Sequence, residues 1–110
     1  MTQDVLARLA ETIHLRRSET AERSYTRQLI EAGAEKCARK LGEEAVETII
    51  AGTSQGDKEL TGEAADLIYH LMVLLETRGV AWSDVTAELE RRMGTSGLVE
   101  KASRGEGAKS

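Results

Sequence analysis

The stretch GEAADLIYHLMVLL (residues 62–75) decides the fold of this chain. Turned as a helix at about 100° per residue, its apolar side chains cover most of the circumference and leave a narrow polar strip of Glu63, Asp66 and His70. A helix that is apolar nearly all round must be buried nearly all round. Because a chain of 110 residues has little other material to surround such a helix, we expect a helical homodimer.

A second helical stretch, KLGEEAVETII (residues 40–50), carries three glutamates. Glu44 and Glu47 are three residues apart, as are Glu63 and Asp66, and this spacing places each pair on one face of its helix. If the two faces pack together, four carboxylates repel one another and their pKa values rise unless a cation compensates. Oxygen donors without cysteine favour Mg²⁺, or Mn²⁺, over Zn²⁺.

The simplest alternative is that these acids form a solvated helix face. Three features argue against it. Lys36 and Lys40 precede the acids, whereas Glu before Lys is the stabilising order, and Glu43 and Glu47 are like charges four residues apart. The second acid pair also lies on a helix with hardly any other polar surface. The pattern therefore favours a carboxylate metal site, with the two lysines placed to contact a polyphosphate.

Composition excludes several classes of protein. The hydrophobic content of 40% is enough for one core, and the net charge of −4 shows no basic excess for nucleic-acid binding. The longest apolar run, residues 67–75, is far shorter than the roughly 20 residues that span a bilayer, so no membrane partner is expected. The single cysteine, Cys37, fits a small buried side chain in a reducing compartment, and no signal peptide is visible. We expect a cytoplasmic protein.

The chain has no proline, so glycines and capping residues mark its helix ends. We predict an all-α bundle of four to five helices, with one domain over residues 1–104 and a flexible tail over 105–110. The predicted helices run from about Asp4 to Arg17, from a cap at Ser24 or Thr26 to Gly33, from Ala34 to Ala51 before the GTSQG stop, from Asp57 to Arg78, and from a Ser83–Asp84 cap to Met93.

His70 has two interpretations. On an apolar helix it suits a satisfied core histidine, but its alignment with Glu63 and Asp66 also suits an outer-shell or substrate-binding role. Tyr69 points away from that strip and is expected either to pack in the core or to lie at an interface.

Four segments carry a resemblance to a known family. SYTRQLIEAG (24–33), KCARKLGEEAVETIIA (36–51), GEAADLIYHLMVLL (62–75) and VTAELERRMGTSGLVEKASR (85–104) together resemble phosphoribosyl-ATP pyrophosphohydrolase, the second enzyme of histidine biosynthesis. The acid motifs alone would indicate only the wider all-α nucleoside-triphosphate pyrophosphatase superfamily, which includes MazG-like and dUTPase-like enzymes. The SYT, KLGEEAVE and YHL elements narrow the resemblance from this superfamily to the phosphoribosyl-ATP pyrophosphohydrolase family. One departure is Ile30, at a position where the family often has an aromatic residue.

The resemblance implies an intertwined MazG-like homodimer that hydrolyses the α–β phosphoanhydride of phosphoribosyl-ATP with Mg²⁺, giving phosphoribosyl-AMP and pyrophosphate. It also implies roles for individual residues. The metal ligands would be Glu44, Glu47, Glu63 and Asp66, with Glu43 as an accessory acid for the attacking water. The substrate contacts would come from Lys36, Lys40, Ser24, Tyr25 and Thr26.

Two other functions stay open at this point. One is a house-cleaning (d)NTP pyrophosphatase with the same metal site and a different base pocket. The other is a helical dimerisation module whose acids form a surface stripe. The 110 residues leave no room for the cyclohydrolase domain to which the family's domain is often fused, so a stand-alone enzyme is expected.

Overall fold

The computed structural model describes residues 4–94, and these contain five α-helices, one short 3₁₀ turn and no strand. The prediction of an all-α fold is therefore confirmed. The predicted tail over 105–110 lies outside the described residues. The helices are α1 (Val5–Leu15), followed by the 3₁₀ turn Arg16–Ser18, then α2 (Tyr25–Ala32), α3 (Ala34–Ser54), α4 (Asp57–Thr77) and α5 (Trp82–Met93).

Side-chain caps and one glycine set the first helix boundaries. Asp4 accepts a hydrogen bond from the backbone N–H of Leu6 at the start of α1, and Ser24 accepts one from the N–H of Arg27 at 3.1 Å. Of the two predicted caps of α2, the structure thus uses Ser24. Gly33 separates α2 from α3 with a φ of +98°, a conformation that side-chain-bearing residues rarely adopt.

Three predicted helix ends were wrong by a few residues. α3 continues past Ala51 to Ser54, and the Thr53 and Ser54 hydroxyls donate to the carbonyl oxygens of Ile49 and Ile50, one turn earlier, at 2.8 Å. α5 begins at Trp82, and its N-cap Ala81 offers no side-chain hydrogen bond, so the predicted Ser83–Asp84 cap is not used. The first helix ends at Leu15, where the backbone tightens into the 3₁₀ turn, rather than at Arg17.

The described chain divides into two compact units, one ending at Val80 and the other starting at Ala81. In the first unit, the two-residue connection Gln55–Gly56 folds α4 back along α3, and these helices share the most extensive packing. α1 and α2 pack against α4, and α2 also packs against α3. The buried apolar residues of this unit are Ile13, Leu29, Cys37, Ala51, Met72 and Val73.

Cys37 has the buried structural position predicted for it. It is 1% exposed, and its thiol donates to the carbonyl oxygen of Leu29 at 3.1 Å. Burial raises the pKa of the thiol above its ordinary value. The group therefore ties α3 to α2 as a neutral side chain.

An ion-pair cluster joins the region of α1 to the end of α4. The Glu76 carboxylate accepts from Arg17 at 2.8 Å and lies 3.0 Å from the His14 ring nitrogen. Burial alone would raise the pKa of Glu76, but the hydrogen bonds from Arg17 and His14 outweigh it and hold the pKa below its ordinary value.

The second unit contributes α5, in which Glu88 pairs with Arg91 and Arg92 at 2.7 and 2.8 Å. These hydrogen bonds lower the pKa of Glu88 to about 2. Among residues 4–94 no helix is both long and apolar enough to cross a membrane.

The apolar helix that dominates the sequence, α4, is only partly covered by the rest of the described chain. Met72 and Val73 are buried, but the leucines of α4 are half-buried. α3 also leaves large apolar side chains in solvent: Val46 is 55% exposed, Ile49 64% and Ile50 46%. These two helices therefore carry apolar surface that the described part of the chain leaves uncovered.

Candidate active site

Three carboxylates from the α3–α4 pair form a compact group. Glu44 comes from α3, and Glu63 and Asp66 come from α4. One carboxylate oxygen of each lies within 4.8 Å of the others. The helical spacing of Glu63 and Asp66 puts both on one face, and the close packing of α3 brings Glu44 to that face. We call these three residues the acid triad.

The acid triad is electrostatically unfavourable without a cation. Glu63 Oε1 is shielded from solvent and accepts no hydrogen bond within the described part of the chain. Burial raises the pKa of Glu63, and the charges of Glu47, Glu44 and Asp66 raise it further. An orphaned buried acceptor among like charges is what a bound divalent cation would satisfy, and its oxygen donors suit Mg²⁺ or Mn²⁺.

The other two predicted acids lie beside the acid triad rather than in it. Glu47 is near enough to Glu63 to raise its pKa, yet it falls outside the compact group. The Glu43 carboxylate is exposed and pairs with Lys40, with Nζ and Oε1 3.3 Å apart. The structure therefore brings three of the four predicted ligands together and turns Glu43 toward a lysine.

Thr48 supports the acid triad and was missed by sequence reasoning. Its hydroxyl lies 2.8 Å from the carbonyl oxygen of Glu44 and 3.2 Å from that of Glu63, so it contacts the backbone of both acid-bearing helices. A hydroxyl residue one position after Glu47 within an otherwise apolar helix face was the available signal.

A groove of about 330 Å³ lies between α2 and α3. Both predicted lysines, Lys36 and Lys40, lie along it, as does Tyr25 from the SYT element. The remaining lining residues are Gln28, Leu29 and Ala32. The hydrogen bond of Lys40 to Glu43, together with the nearby Tyr25, raises the pKa of this lysine, so it stays charged at neutral pH. Lys40 thus lies at the junction between the groove and the acids of α3.

The remaining predicted substrate residues are engaged within the protein. Ser24 is 3% exposed and caps α2, and the Thr26 hydroxyl lies 2.6 Å from the Tyr69 hydroxyl. His70 is 7% exposed and contacts the Tyr69 ring edge-on, with ring centroids 5.0 Å apart. Ser24 and Thr26 therefore hold the start of α2 and with it Tyr25, which is the exposed member of the SYT element.

The fold and the acid triad together define a class: all-α proteins with a carboxylate cluster of the kind that holds a divalent cation. Comparison with known proteins is more specific. The family model described as phosphoribosyl-ATP pyrophosphohydrolase matches residues 6–93. The chain therefore belongs to the phosphoribosyl-ATP pyrophosphohydrolase family.

Individual relatives match along nearly their full length. The phosphoribosyl-ATP pyrophosphatase of Dinoroseobacter shibae is 54% identical over 100 residues, which cover 91% of this chain and 98% of the relative. That of Erythrobacter litoralis is 52% identical over 103 residues, covering 94% and 99%. That of Rhizorhabdus wittichii is 54% identical over 102 residues, covering 93% and 96%. The resemblance noted from the four sequence segments is confirmed.

Proposed function

We propose that this protein hydrolyses phosphoribosyl-ATP to phosphoribosyl-AMP and pyrophosphate with Mg²⁺, in histidine biosynthesis. The observation that carries this proposal is the acid triad with its orphaned Glu63 oxygen. It occurs in a chain more than half identical to proteins named phosphoribosyl-ATP pyrophosphatase. The predicted single domain over 1–104 belongs to the same proposal.

The acid triad would hold the cation, with Glu47 as the adjacent fourth acid. A bound Mg²⁺ supplies charge neutralisation at the phosphoryl oxygens of the scissile anhydride. Mn²⁺ has similar ligand preferences and is the expected substitute. The helices contribute rigidity, because the Thr48 hydroxyl fixes the backbones that carry Glu44 and Glu63 relative to each other.

The neighbours of the acid triad supply the remaining roles. Glu43 has an exposed carboxylate on the same helix as Glu44 and Glu47, and it would accept the proton of the attacking water. Lys40, charged and 3.3 Å from Glu43, contributes positive charge next to the phosphates. Ser24, Thr26 and His70 are assigned to positioning, since their side chains are buried.

The apolar surface of α3 and α4 supports a homodimer. The exposed Val46, Ile49 and Ile50 and the half-buried leucines of α4 would be covered by the same helices of a second copy. Multi-angle light scattering at micromolar concentration should give twice the chain mass of 12.0 kDa. A monomer at that concentration would overturn the dimer. The cytoplasmic location stays a prediction.

A substrate panel tests the proposed reaction. Pyrophosphate release is measured from phosphoribosyl-ATP, ATP and the common dNTPs under the same Mg²⁺ concentration, and phosphoribosyl-ATP should have the highest kcat/KM. A large preference for any dNTP would instead establish a house-cleaning pyrophosphatase. Asp66→Asn should abolish release, while Glu35→Gln, an exposed acid at the start of α3, should not. Full activity of Asp66→Asn would refute the ligand assignment.

A further inference from the structure

The groove between α2 and α3 has two different walls. Lys36 and Lys40 supply positive charge from α3, whereas Tyr25, Leu29 and Ala32 supply an aromatic and aliphatic surface. Its volume of about 330 Å³ lies at the lower end of the range for small-molecule pockets. A groove with an apolar floor and a cationic edge suits a ligand that has both a carbon skeleton and an anionic group.

Gln28 adds a hydrogen-bonding group to the same groove. Its side-chain nitrogen donates to the carbonyl oxygen of Ala21 at 2.6 Å, which fixes the orientation of the amide. The amide oxygen is then left as an acceptor for a ligand hydroxyl. The groove therefore offers an acceptor, an aromatic ring and cations within one small space.

The two lysines are not equivalent. Lys40 pairs with Glu43 and thus lies beside the acids, whereas Lys36 forms no ion pair within residues 4–94. Lys36 is also four residues, about 6 Å along the helix axis, farther from the acids than Lys40. It precedes Glu44 by eight residues, which is about 12 Å of α3. An uncompensated lysine at the far end of a groove is available for an anionic ligand group.

We propose that this groove is the subsite for the phosphoribosyl arm of the substrate, with the ribose on Tyr25 and Gln28 and the arm's phosphate on Lys36. The inference rests on the proposed function. Phosphoribosyl-ATP carries phosphate at two separate ends: the triphosphate, and the single phosphate of the ribose attached to its base. The acid triad must face the triphosphate, because the scissile anhydride is there.

The apolar surface of the groove argues against the alternative that the groove binds the triphosphate. A polyphosphate has no apolar surface to place on Leu29 or on the Tyr25 ring, whereas a ribose has both C–H edges and hydroxyls. Lys40, next to the acids, is the lysine placed for the triphosphate end. Lys36 is then the residue that distinguishes phosphoribosyl-ATP from ATP, which lacks the arm.

The test compares Lys36→Gln with Lys58→Gln, which removes an exposed α4 lysine outside the groove. Lys36→Gln should raise KM for phosphoribosyl-ATP about tenfold to a hundredfold, as expected for loss of a charge-assisted hydrogen bond, and change kcat by less than about threefold. It should weaken inhibition by ribose 5-phosphate and leave inhibition by pyrophosphate unchanged. Lys58→Gln should behave as wild type in all three measurements.

Two results would overturn the subsite. One is a Lys36→Gln variant with the same KM and the same inhibition by ribose 5-phosphate as Lys58→Gln. The other is an equal loss of inhibition by ribose 5-phosphate and by pyrophosphate, which would assign Lys36 to the polyphosphate. If the wild-type protein releases no pyrophosphate from phosphoribosyl-ATP, the proposed function fails. Calorimetric binding of ribose 5-phosphate to wild type and Lys36→Gln then still decides the subsite, because equal affinities would refute it.

Discussion

The hydrogen bond between Thr26 and Tyr69 ties the α2 helix, which carries Tyr25, to the helix that carries two of the triad acids. Its oxygens are 2.6 Å apart, and Thr26 is 9% exposed. Tyr69→Phe removes one partner and leaves the other buried without one, which costs about 1–2 kcal/mol. At roughly 4–8 °C per kcal/mol for a domain of this size, we expect Tm to fall by about 4–16 °C.

A double-mutant cycle measures this bond directly. Thermal unfolding is followed by circular dichroism for wild type, Tyr69→Phe, Thr26→Val and the double variant. All are measured at one protein concentration, because the Tm of the proposed dimer would depend on it. Since the double variant leaves no orphaned hydroxyl, its loss should be smaller than the sum of the two single losses by about 1 kcal/mol. Tyr25→Phe, which removes an exposed hydroxyl, is the matched control and should leave Tm nearly unchanged. Additive losses, or a Tyr69→Phe variant as stable as this control, would refute the reasoning.

Three further predictions concern stability. Glu63→Gln should raise the Tm of the metal-free protein at pH 7, because the raised pKa of Glu63 means that its ionised form is disfavoured in the fold. The same variant should abolish the Tm increase caused by Mg²⁺. A lower metal-free Tm would contradict this. The pKa of Glu76 is lowered from 4.5, so its stabilising contribution is present above pH 4.5 and is lost as pH falls below that value. Glu76→Gln should therefore flatten the acid side of the profile of Tm against pH. An unchanged profile would contradict this. Gly33→Ala should destabilise the protein by about 1–3 kcal/mol, because Gly33 has a positive φ. Gly42→Ala, inside α3, should instead stabilise the protein by about 0.5–1 kcal/mol. Equal urea midpoints for the two variants would exclude backbone strain at Gly33.

The fold was largely predictable because its helices carry strong periodic patterns and clear glycine breaks. The errors were in the helix boundaries, where a glycine or a capping residue can either end the helix or be accommodated in it. GTSQG indicated a stop at Ala51, but a single glycine is tolerated in a helix, and the Leu60 side chain lies over Gly52, where an added Cβ would be 3.6 Å from its Cδ1. The start of α5 was misplaced because Ser83 and Asp84 are good capping residues that this helix does not use.

The sequence predicted which helix faces carry the acids of the site, but not the contacts that their side chains make. Helical phase placed Glu44, Glu63 and Asp66 together, and the structure agrees. Phase alone does not give the direction of a side chain, which is why it could not show that Glu47 lies outside the compact group.

Contacts between residues far apart in the chain were beyond the sequence. The bond of Thr26 to Tyr69 joins positions 43 residues apart, and no local pattern indicates it. The hydroxyl of Thr48 likewise reaches the α4 backbone only because α4 folds back on α3. These tertiary contacts decide which residues of a predicted site face the groove and which support it.

We propose that the acid triad makes this chain a metal-dependent pyrophosphohydrolase. The most direct test is single-turnover pyrophosphate release from phosphoribosyl-ATP by metal-free protein as Mg²⁺ is added, for wild type, Glu63→Gln and the control Glu35→Gln. Wild type and Glu35→Gln should be inactive without Mg²⁺ and saturate together, whereas Glu63→Gln should stay at least a hundredfold slower at the same Mg²⁺ concentration. Full activity of the chelator-treated wild type, or of Glu63→Gln, would contradict a metal site at the acid triad.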